Sequence, residues 1–236
     1  MSDIEPAVQA VAAKALELVA DGARVGLGSG RAASLFIELL GARVREGLRV
    51  SGVATSLAAA AEAHGAGIPL IELGEGVALD ITVDGADEVA PNLDLVKGWG
   101  GALVRERIVA RASKRQVIIV SEEKLVRELG ERGRIPLEVI PLARWLATAE
   151  LAALGIVPTL RTDVRGALPL LTDNGNFTID CALPEPLRDG NAARAMERTL
   201  LGVIGVVDTG LFLGTAERVF VGHADGRVDA LRHEEA

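Results

Sequence analysis

Over the first 125 or so residues, aliphatic runs that read as strands alternate with segments of helical spacing. This alternation restricts the fold more than any other feature, because repeated strand–helix units build a parallel sheet with helices on both faces. The hydrophobic fraction is 49%, but with 4 Phe, 2 Trp and no Tyr the core must consist of Ala, Val, Leu and Ile, which suits buried parallel strands. Residues 23–30 are predicted to be a short strand that runs into a glycine turn, and 116–125 a strand with a polar end. The other predicted strands are 48–55, 68–73 and 78–83, and the predicted helices are 5–19, 32–46, 56–67 and 101–113.

The pattern changes after about residue 125. Residues 157–183 read as short antiparallel strands, with Asn174-Gly175 as a two-residue hairpin turn, and 191–205 read as a helix. We therefore predict a Rossmann-like domain of residues 1–125 and 205–236, interrupted by a small α+β domain of residues 126–204. Residues 205–214 and 218–222 are expected to return to the main sheet, and 229–236 to be a frayed end.

Charge and composition exclude several classes of function. The 33 acidic residues outnumber the 25 basic ones, which argues against a nucleic-acid-binding surface. The single cysteine, Cys181, cannot form an internal disulfide, and no spacing of Cys and His indicates a metal site. The first residues do not resemble a signal peptide, and no apolar run approaches the ~20 residues of a membrane span. We expect a cytoplasmic protein without membrane contact.

Two polar segments each follow a predicted strand. These are "GLGSG" (Gly26–Gly30) and "DGADE" (Asp84–Glu88), and ligands of open α/β sheets bind at this edge. A glycine-rich loop that leads into the N-terminus of a helix is typical of an anion-binding site. The same glycines would also be needed if the loop were only a tight turn between a strand and a helix. Gly28, Gly30 and Ala33 also satisfy G-x-G-x-x-A, but no acidic residue ends the second strand, so a monophosphate suits the loop better than a dinucleotide.

Four side chains are candidates for acid–base chemistry. Asp84 and Asp87 lie three residues apart around Gly-Ala, and Lys97 could offset their repulsion while protons move between sugar oxygens. Glu106 falls in an apolar sector of its predicted helix, where a carboxylate loses hydration and binds protons more readily, as a general base must. In the alternative interpretation, Asp84 and Asp87 are solvated loop carboxylates or cap a helix. Lys97 would then be a surface lysine, and Glu106 a partly exposed glutamate.

Taken together, the segments resemble ribose-5-phosphate isomerase of the A type. They follow the family order over nearly the whole chain. The matching stretches are "GLGSG", "GVATS", "DITVDGADEVAPNLDLVKGWGGALVRERIVA", "SEEKLV", "PLEVIP", "TDNGN" and "GVVDTGLFLG". The resemblance implies conversion of ribose 5-phosphate to ribulose 5-phosphate through an enediol, within the pentose phosphate pathway, without metal or cofactor. It also implies a Rossmann-like sheet, a ferredoxin-like lid domain and a homodimer or homotetramer.

The resemblance also implies roles for individual residues. Glu106 would move the proton between carbons 1 and 2, and Asp84 would assist ring opening and proton traffic on the sugar oxygens. Asp87 and Lys97 would position the open chain and stabilise the developing oxyanion. The residues expected to hold the phosphate or the sugar hydroxyls are Gly28, Ser29, Gly30, Arg31, Thr55, Ser56 and Lys124.

Four residues depart from the family pattern. Arg31 and Ala32 follow Gly30 where the family has hydroxyl residues, and Arg31 either binds phosphate in their place or points outward. Val8 stands where the family has a lysine, and Trp99 interrupts a run of glycines. The motif around Asn174 is interpreted as structural, and the histidines His64, His223 and His233 are given no role.

Two other functions compete with the isomerase. A sugar-phosphate sensor could share the fold without catalysis, but the retention of Glu106 and Lys97 argues against it. Acyl or CoA transfer on a related fold would require a nucleophilic glutamate and an acyl-carrier groove, and the sequence indicates neither.

Overall fold

The computed structural model describes residues 6–163, 165–166 and 168–233, which form two compact units. The first unit takes the described residues of Met1–Ala86, Arg105–Lys124 and Gly214–Ala236, and the second takes those of Asp87–Val104 and Leu125–Leu213. The predicted domain boundaries at 125/126 and 204/205 stay a prediction.

The first unit is built on a six-stranded sheet. Its strands are β1 (Ala23–Leu27), β2 (Val50–Ala54), β3 (Ile81–Asp84), β6 (Gln116–Ser121), β12 (Arg218–Gly222) and β13 (Val228–Arg232). The order across the sheet is β13-β12-β6-β3-β1-β2, and all neighbours are parallel except β12 and β13. The strands that lead into the two predicted polar segments, β1 and β3, are direct neighbours, so their carboxyl ends lie at one edge.

Four helices accompany this sheet: α1 (Pro6–Leu16), α2 (Arg31–Arg45), α3 (Leu57–Gly65) and α4 (Leu103–Arg111). The aliphatic faces of α1 and α2 pack with strand residues such as Val25, Val83 and Ile119 in one core. A smaller cluster joins Val53, Leu79 and Val109. The predicted doubly covered parallel sheet is confirmed.

The second unit contains a four-stranded antiparallel sheet with two helices. Its elements in chain order are β7 (Ile135–Val139), α5 (Arg144–Ala153), β8 (Val157–Leu160), β9 (Phe177–Ala182), α6 (Gly190–Leu201) and β10 (Val206–Thr209). The sheet order β10-β7-β9-β8 is that of a ferredoxin-like domain, as predicted. A three-stranded sheet joins β4 (Glu88–Val89), β5 (Leu95–Val96) and β11 (Leu211–Phe212). One core serves both sheets, and buried Cys181 belongs to it.

Four local predictions are wrong. Residues 68–73 form only an isolated bridge between Gly52 and Leu70, because Pro69 has no N–H to donate to a strand ladder. The segment 205–213 does not return to the main sheet, since β10 pairs with β7 and β11 with β5. Part of the expected frayed end is strand β13; residues 234–236 lie outside the described residues. The Asn174-Gly175 turn is longer than two residues, because the amide of Thr172 bonds to the carbonyl of Asn176.

Within the described residues, none of the helices has both the length and the apolar character needed to cross a bilayer.

Candidate active site

The glycine loop after β1 lies against the end of β3. The amide of Gly28 donates to the carbonyl of Val83 at 2.9 Å, and a Cβ on Gly28 would lie 2.5 Å from the Cα of Asp84. Gly30 adopts a φ of 88° and precedes α2 without a side-chain cap on the helix N-terminus. Only glycine fits this close approach at position 28, and the uncapped amides of α2 are suited to an anion.

Three hydroxyl groups gather at the ends of β1 and β2. Ser29 Oγ lies 2.7 Å from Thr55 Oγ1 and donates to Ser56 Oγ at 3.0 Å. Ser56 also caps α3, because its Oγ accepts the amide of Ala59. This hydroxyl cluster of Ser29, Thr55 and Ser56 therefore stands between the first turns of two helices, an arrangement suited to a phosphate or to sugar hydroxyls.

Asp84 ends β3 next to this loop. Its Oδ1 accepts the amides of Ser29 at 3.0 Å and Gly85 at 2.8 Å, and the residue is fully buried. Two backbone donors fix the carboxylate where strand β3 gives way to the loop. The structure thus brings together Asp84 with the predicted loop residues Gly28 and Ser29 and, through Ser29, with Thr55 and Ser56.

Lys124 closes a short 3₁₀ turn, Glu122–Lys124, that follows β6. Within it, Glu123 accepts a hydrogen bond of 2.6 Å from Ser121 Oγ. Burial by itself would raise the pKa of Glu123, but that bond, a backbone bond and the charges of Lys124 and Arg31 together lower it. Arg31 and Lys124 thus both act electrostatically on one carboxylate at this edge of the first unit.

Glu106 lies on α4 and is only 4% exposed. Leu103, Val109 and Ala110 of the same helix are buried as well. The predicted burial of this glutamate among apolar residues is confirmed. Val8, in contrast, packs into the core through α1, so the family lysine has no polar replacement there.

In the second unit, Asp87 is held by the backbone and by an arginine. Its Oδ2 accepts the amide of Trp99 at 2.9 Å, and its carbonyl accepts Nη1 of Arg132 at 2.9 Å. The indole of Trp99 has the guanidinium groups of Arg132 and Arg134 at 5.2 and 4.4 Å from a ring centroid. We call Trp99, Arg132 and Arg134 the tryptophan stack; its contacts are of the cation–π type.

The backbone of Trp99 has further support from Arg161. Nη1 of Arg161 donates to the carbonyls of Gly98 at 3.3 Å and Trp99 at 2.9 Å, and the guanidinium forms a two-pronged ion pair with Asp180. Trp99 is therefore a structural part of the segment that holds Asp87.

Lys97 is 2% exposed, which is rare for a lysine. Its amide donates to the carbonyl of Gly210 at 2.8 Å, and its ammonium lies 5.6 Å from the ring centroid of Phe212. The prediction that Lys97 is not a surface lysine is confirmed.

Glu88, the third carboxylate of the "DGADE" segment, has a structural role. It is fully buried and accepts the amides of Gly130 at 2.5 Å and Arg132 at 2.8 Å. Burial raises its pKa in spite of these two bonds. Asp84 and Glu88 thus each have their own backbone donors.

The sequence analysis did not identify the buried carboxylate of Glu138 on β7. Its Oε1 accepts hydrogen bonds from the side chains of Thr172, Asn174 and Asn176 at 2.8–3.1 Å. The interpretation of the Asn174 motif as structural agrees with these bonds. The signal that could have indicated Glu138 is its position among apolar residues in "IPLEVIP".

Among the residues that the structure describes, no three or more His, Cys, Asp or Glu side chains form a group able to hold a metal ion.

Comparison with known proteins gives one consistent result. The family model described as ribose 5-phosphate isomerase A (phosphoriboisomerase A) matches residues 51–226. The ribose-5-phosphate isomerase A of Deinococcus radiodurans is 46% identical over 226 residues, which are 95% of this chain and 97% of that protein. That of Oceanobacillus iheyensis (isomerase A 1) is 43% identical over 230 residues, 95% of this chain and 98% of the relative.

Solved structures agree with the sequence relatives. Ribose 5-phosphate isomerase A from Methanocaldococcus jannaschii superposes with a TM-score of 0.89 at 40% identity, covering 97% of this chain and 99% of that one. A D-ribose-5-phosphate isomerase in complex with phospho-erythronic acid gives a TM-score of 0.90 at 36% identity, with 98% and 99% of the two chains covered.

Proposed function

The chain belongs to the ribose 5-phosphate isomerase A family, and from this premise we infer that it interconverts D-ribose 5-phosphate and D-ribulose 5-phosphate. None of the relatives named above supports a non-catalytic sugar-phosphate sensor. We further propose that it serves the pentose phosphate pathway in the cytoplasm.

The observation that carries this proposal within the molecule is the arrangement at the ends of β1, β2 and β3. The hydroxyl cluster lies beside the uncapped start of α2, and Ser29 also binds the buried carboxylate of Asp84. A small ligand with one anionic end and several hydroxyls matches these groups, because amides and hydroxyls bind the anion while a carboxylate accepts from sugar hydroxyls.

The proposed chemistry is a proton transfer between adjacent carbons. Asp84 assists opening of the furanose ring, and the Glu106 carboxylate then takes the proton from C2. The electron pair forms the C1–C2 double bond, and the C1 oxygen takes up a proton with the help of Lys97 and Asp87. Loss of the proton on the C2 oxygen and return of the Glu106 proton to C1 complete the ketose.

A direct assay tests the proposal. The purified protein is incubated with ribose 5-phosphate, and ribulose 5-phosphate is measured after exhaustive treatment with EDTA. We expect turnover to survive chelation. Absence of ketose would contradict the proposed function, and loss of activity with rescue by a divalent metal would contradict the proton-transfer chemistry.

Arg31 is proposed to replace the missing loop hydroxyls with a charge-assisted bond to phosphate. Removing it as Arg31→Ala should raise KM for ribose 5-phosphate about threefold to tenfold and change kcat little, because ground and transition states carry the same phosphate. Arg43→Ala, an exposed arginine of the same helix that pairs with Glu46, is the matched control. An unchanged KM would mean that Arg31 serves only the helix surface.

We propose that the second unit mediates self-association into a dimer or tetramer. It carries exposed apolar side chains that a monomer would leave in water, among them Leu142 at 95%, Trp145 at 74% and Ile204 at 66%. Light scattering should give a mass that is a multiple of 24.6 kDa, and Leu142→Asp should lower it. Leu73→Asp in the first unit is the control; a monomeric wild type would contradict the proposal.

A further inference from the structure

His223 lies between two carboxylates at the end of strand β12. Its Nδ1 is 2.8 Å from Glu122 Oε2, and its Nε2 is 2.8 Å from Asp229 Oδ2. A neutral imidazole has one N–H and can donate to only one of these oxygens, whereas imidazolium donates to both. Since ionised carboxylates can only accept, the geometry requires the charged ring.

The charged surroundings of His223 agree with this protonation state. The hydrogen bonds to Asp229 and Glu122 raise the pKa of His223 above its ordinary value of 6.5, against smaller opposing contributions from burial and from Arg227. Arg227 itself pairs with Asp229, whose pKa is lowered chiefly by the bond to His223. Asp229 therefore stays ionised when the ring is charged.

The bridge joins two segments that are far apart in sequence. His223 opens the hairpin turn between β12 and β13, where its amide donates to the carbonyl of Arg227. Glu122 opens the 3₁₀ turn that ends with Lys124. The imidazole side chain is only 15% exposed, although Glu122 is 56% exposed. The His223 imidazolium thus links the turn that carries Lys124 to the β12–β13 hairpin of the first unit.

We propose that His223 is a positioning residue for substrate binding: as imidazolium it holds the Glu122–Lys124 turn so that the Lys124 ammonium meets the sugar phosphate. His223 itself does not touch substrate. The inference rests on the proposed function and on the role proposed there for Lys124. Because the imidazolium can lose a proton, the pair of hydrogen bonds from His223 to Glu122 and Asp229 also depends on pH.

The direction of the pH effect follows from the raised pKa. The bridge is complete below the ordinary value of 6.5, and it is lost as the pH rises through the higher value of the folded protein. A neutral ring releases one carboxylate, and the turn becomes looser. Wild-type KM for ribose 5-phosphate should therefore rise on the alkaline side while kcat changes much less.

Three variants test the inference. His223→Gln should raise KM at neutral pH about threefold, leave kcat within about twofold, and remove the alkaline rise in KM. His223→Arg, a cation that can contact both carboxylates at every pH, should restore KM and also abolish its pH dependence. His64→Gln, which changes an exposed histidine of α3, should behave as wild type.

Hydrogen exchange provides a readout independent of activity. The amides of residues 121–126 should exchange faster in His223→Gln and return towards wild-type protection in His223→Arg. Unchanged exchange together with an unchanged KM profile would overturn the inference.

The variant Lys124→Ala distinguishes failure of the positioning role of His223 from failure of the proposed function. A wild type that forms no ribulose 5-phosphate removes the proposed function and this inference together. Turnover in which Lys124→Ala raises KM but His223→Gln does not removes only the inference. Turnover in which Lys124→Ala leaves KM unchanged overturns the role of Lys124 and the positioning role of His223 with it.

Discussion

In the first unit, Asp84 is held by two amides at adjoining strand ends. In the second unit, Asp87 is held by the amide of a tryptophan that three arginines contact. The first arrangement needs only strand ends, glycines and helix starts. The second needs side chains from remote parts of the chain, such as Arg132 and Arg161, which lie 45 and 62 residues from their partners. Functional groups of similar chemistry can thus be positioned by backbone alone or by long-range networks.

This difference bears on what a mutation does. A residue held by backbone amides can be altered while the loop around it keeps its shape. A residue held through side chains depends on every member of the network. Substitution of Asp84 should therefore change the chemistry, whereas substitutions in the side-chain network around Asp87 should mainly change stability or precision.

Among the substitutions that test this comparison of the two units, Asp84→Asn should have the largest effect. The amide oxygen can still accept the N–H groups of Ser29 and Gly85, so the loop should keep its shape while the charge is lost. We expect kcat to fall about a hundredfold, as for loss of a proton-transfer group, and more than KM rises.

Steady-state kinetics and urea denaturation of the same sample check the Asp84→Asn prediction. A pure KM effect would reduce Asp84 to a binding residue. A large loss of stability would remove the distinction between backbone-held and network-held groups.

The next effect concerns stability in the second unit. Glu138→Leu removes the acceptor shared by Thr172, Asn174 and Asn176, so three side-chain donors lose their hydrogen-bond partner in the protein. We expect a loss of about 2 kcal/mol in the free energy of unfolding, measured by urea denaturation, with kcat nearly unchanged. Glu185→Leu, at an exposed position, is the control. If Glu138→Leu has the same free energy of unfolding as the wild type, these hydrogen bonds make no net contribution to stability.

The smallest effect is expected for the tryptophan stack. Trp99→Gly introduces the residue typical of the family and removes the ring that Arg132 and Arg134 contact. The amide that binds Asp87 remains but becomes less restrained, so kcat/KM should fall about threefold. Trp99→Phe keeps an aromatic ring and should recover most of the activity. Equal kcat/KM for wild type and the glycine variant would mean that the stack does not influence Asp87.

The sequence could predict a residue's place in the fold only where a local pattern marks it. The glycine loop, the place of Asp84 at a strand end and the burial of Glu106 could be predicted because strand ends, helix starts and helical periodicity have local signatures. Ser29, Thr55 and Ser56 were expected only from the family resemblance. The roles of Glu88 and Glu138 could not, because their partners lie 34 to 44 residues away and no local pattern connects them. The role of His223 could not, because Glu122 lies 101 residues from it. Strands β10 and β11 were assigned to the wrong sheet because a strand's own sequence does not reveal its neighbour.

The central claim is that the buried carboxylate of Glu106 carries the proton between C1 and C2. The most direct measurement is the incorporation of solvent deuterium into the sugar phosphate, followed by NMR for wild type and Glu106→Gln, with binding of ribose 5-phosphate measured in parallel. Glu106→Gln should bind the sugar phosphate normally but lose isomerisation, by about a thousandfold, and deuterium incorporation together. Wild-type turnover by Glu106→Gln would contradict the claim.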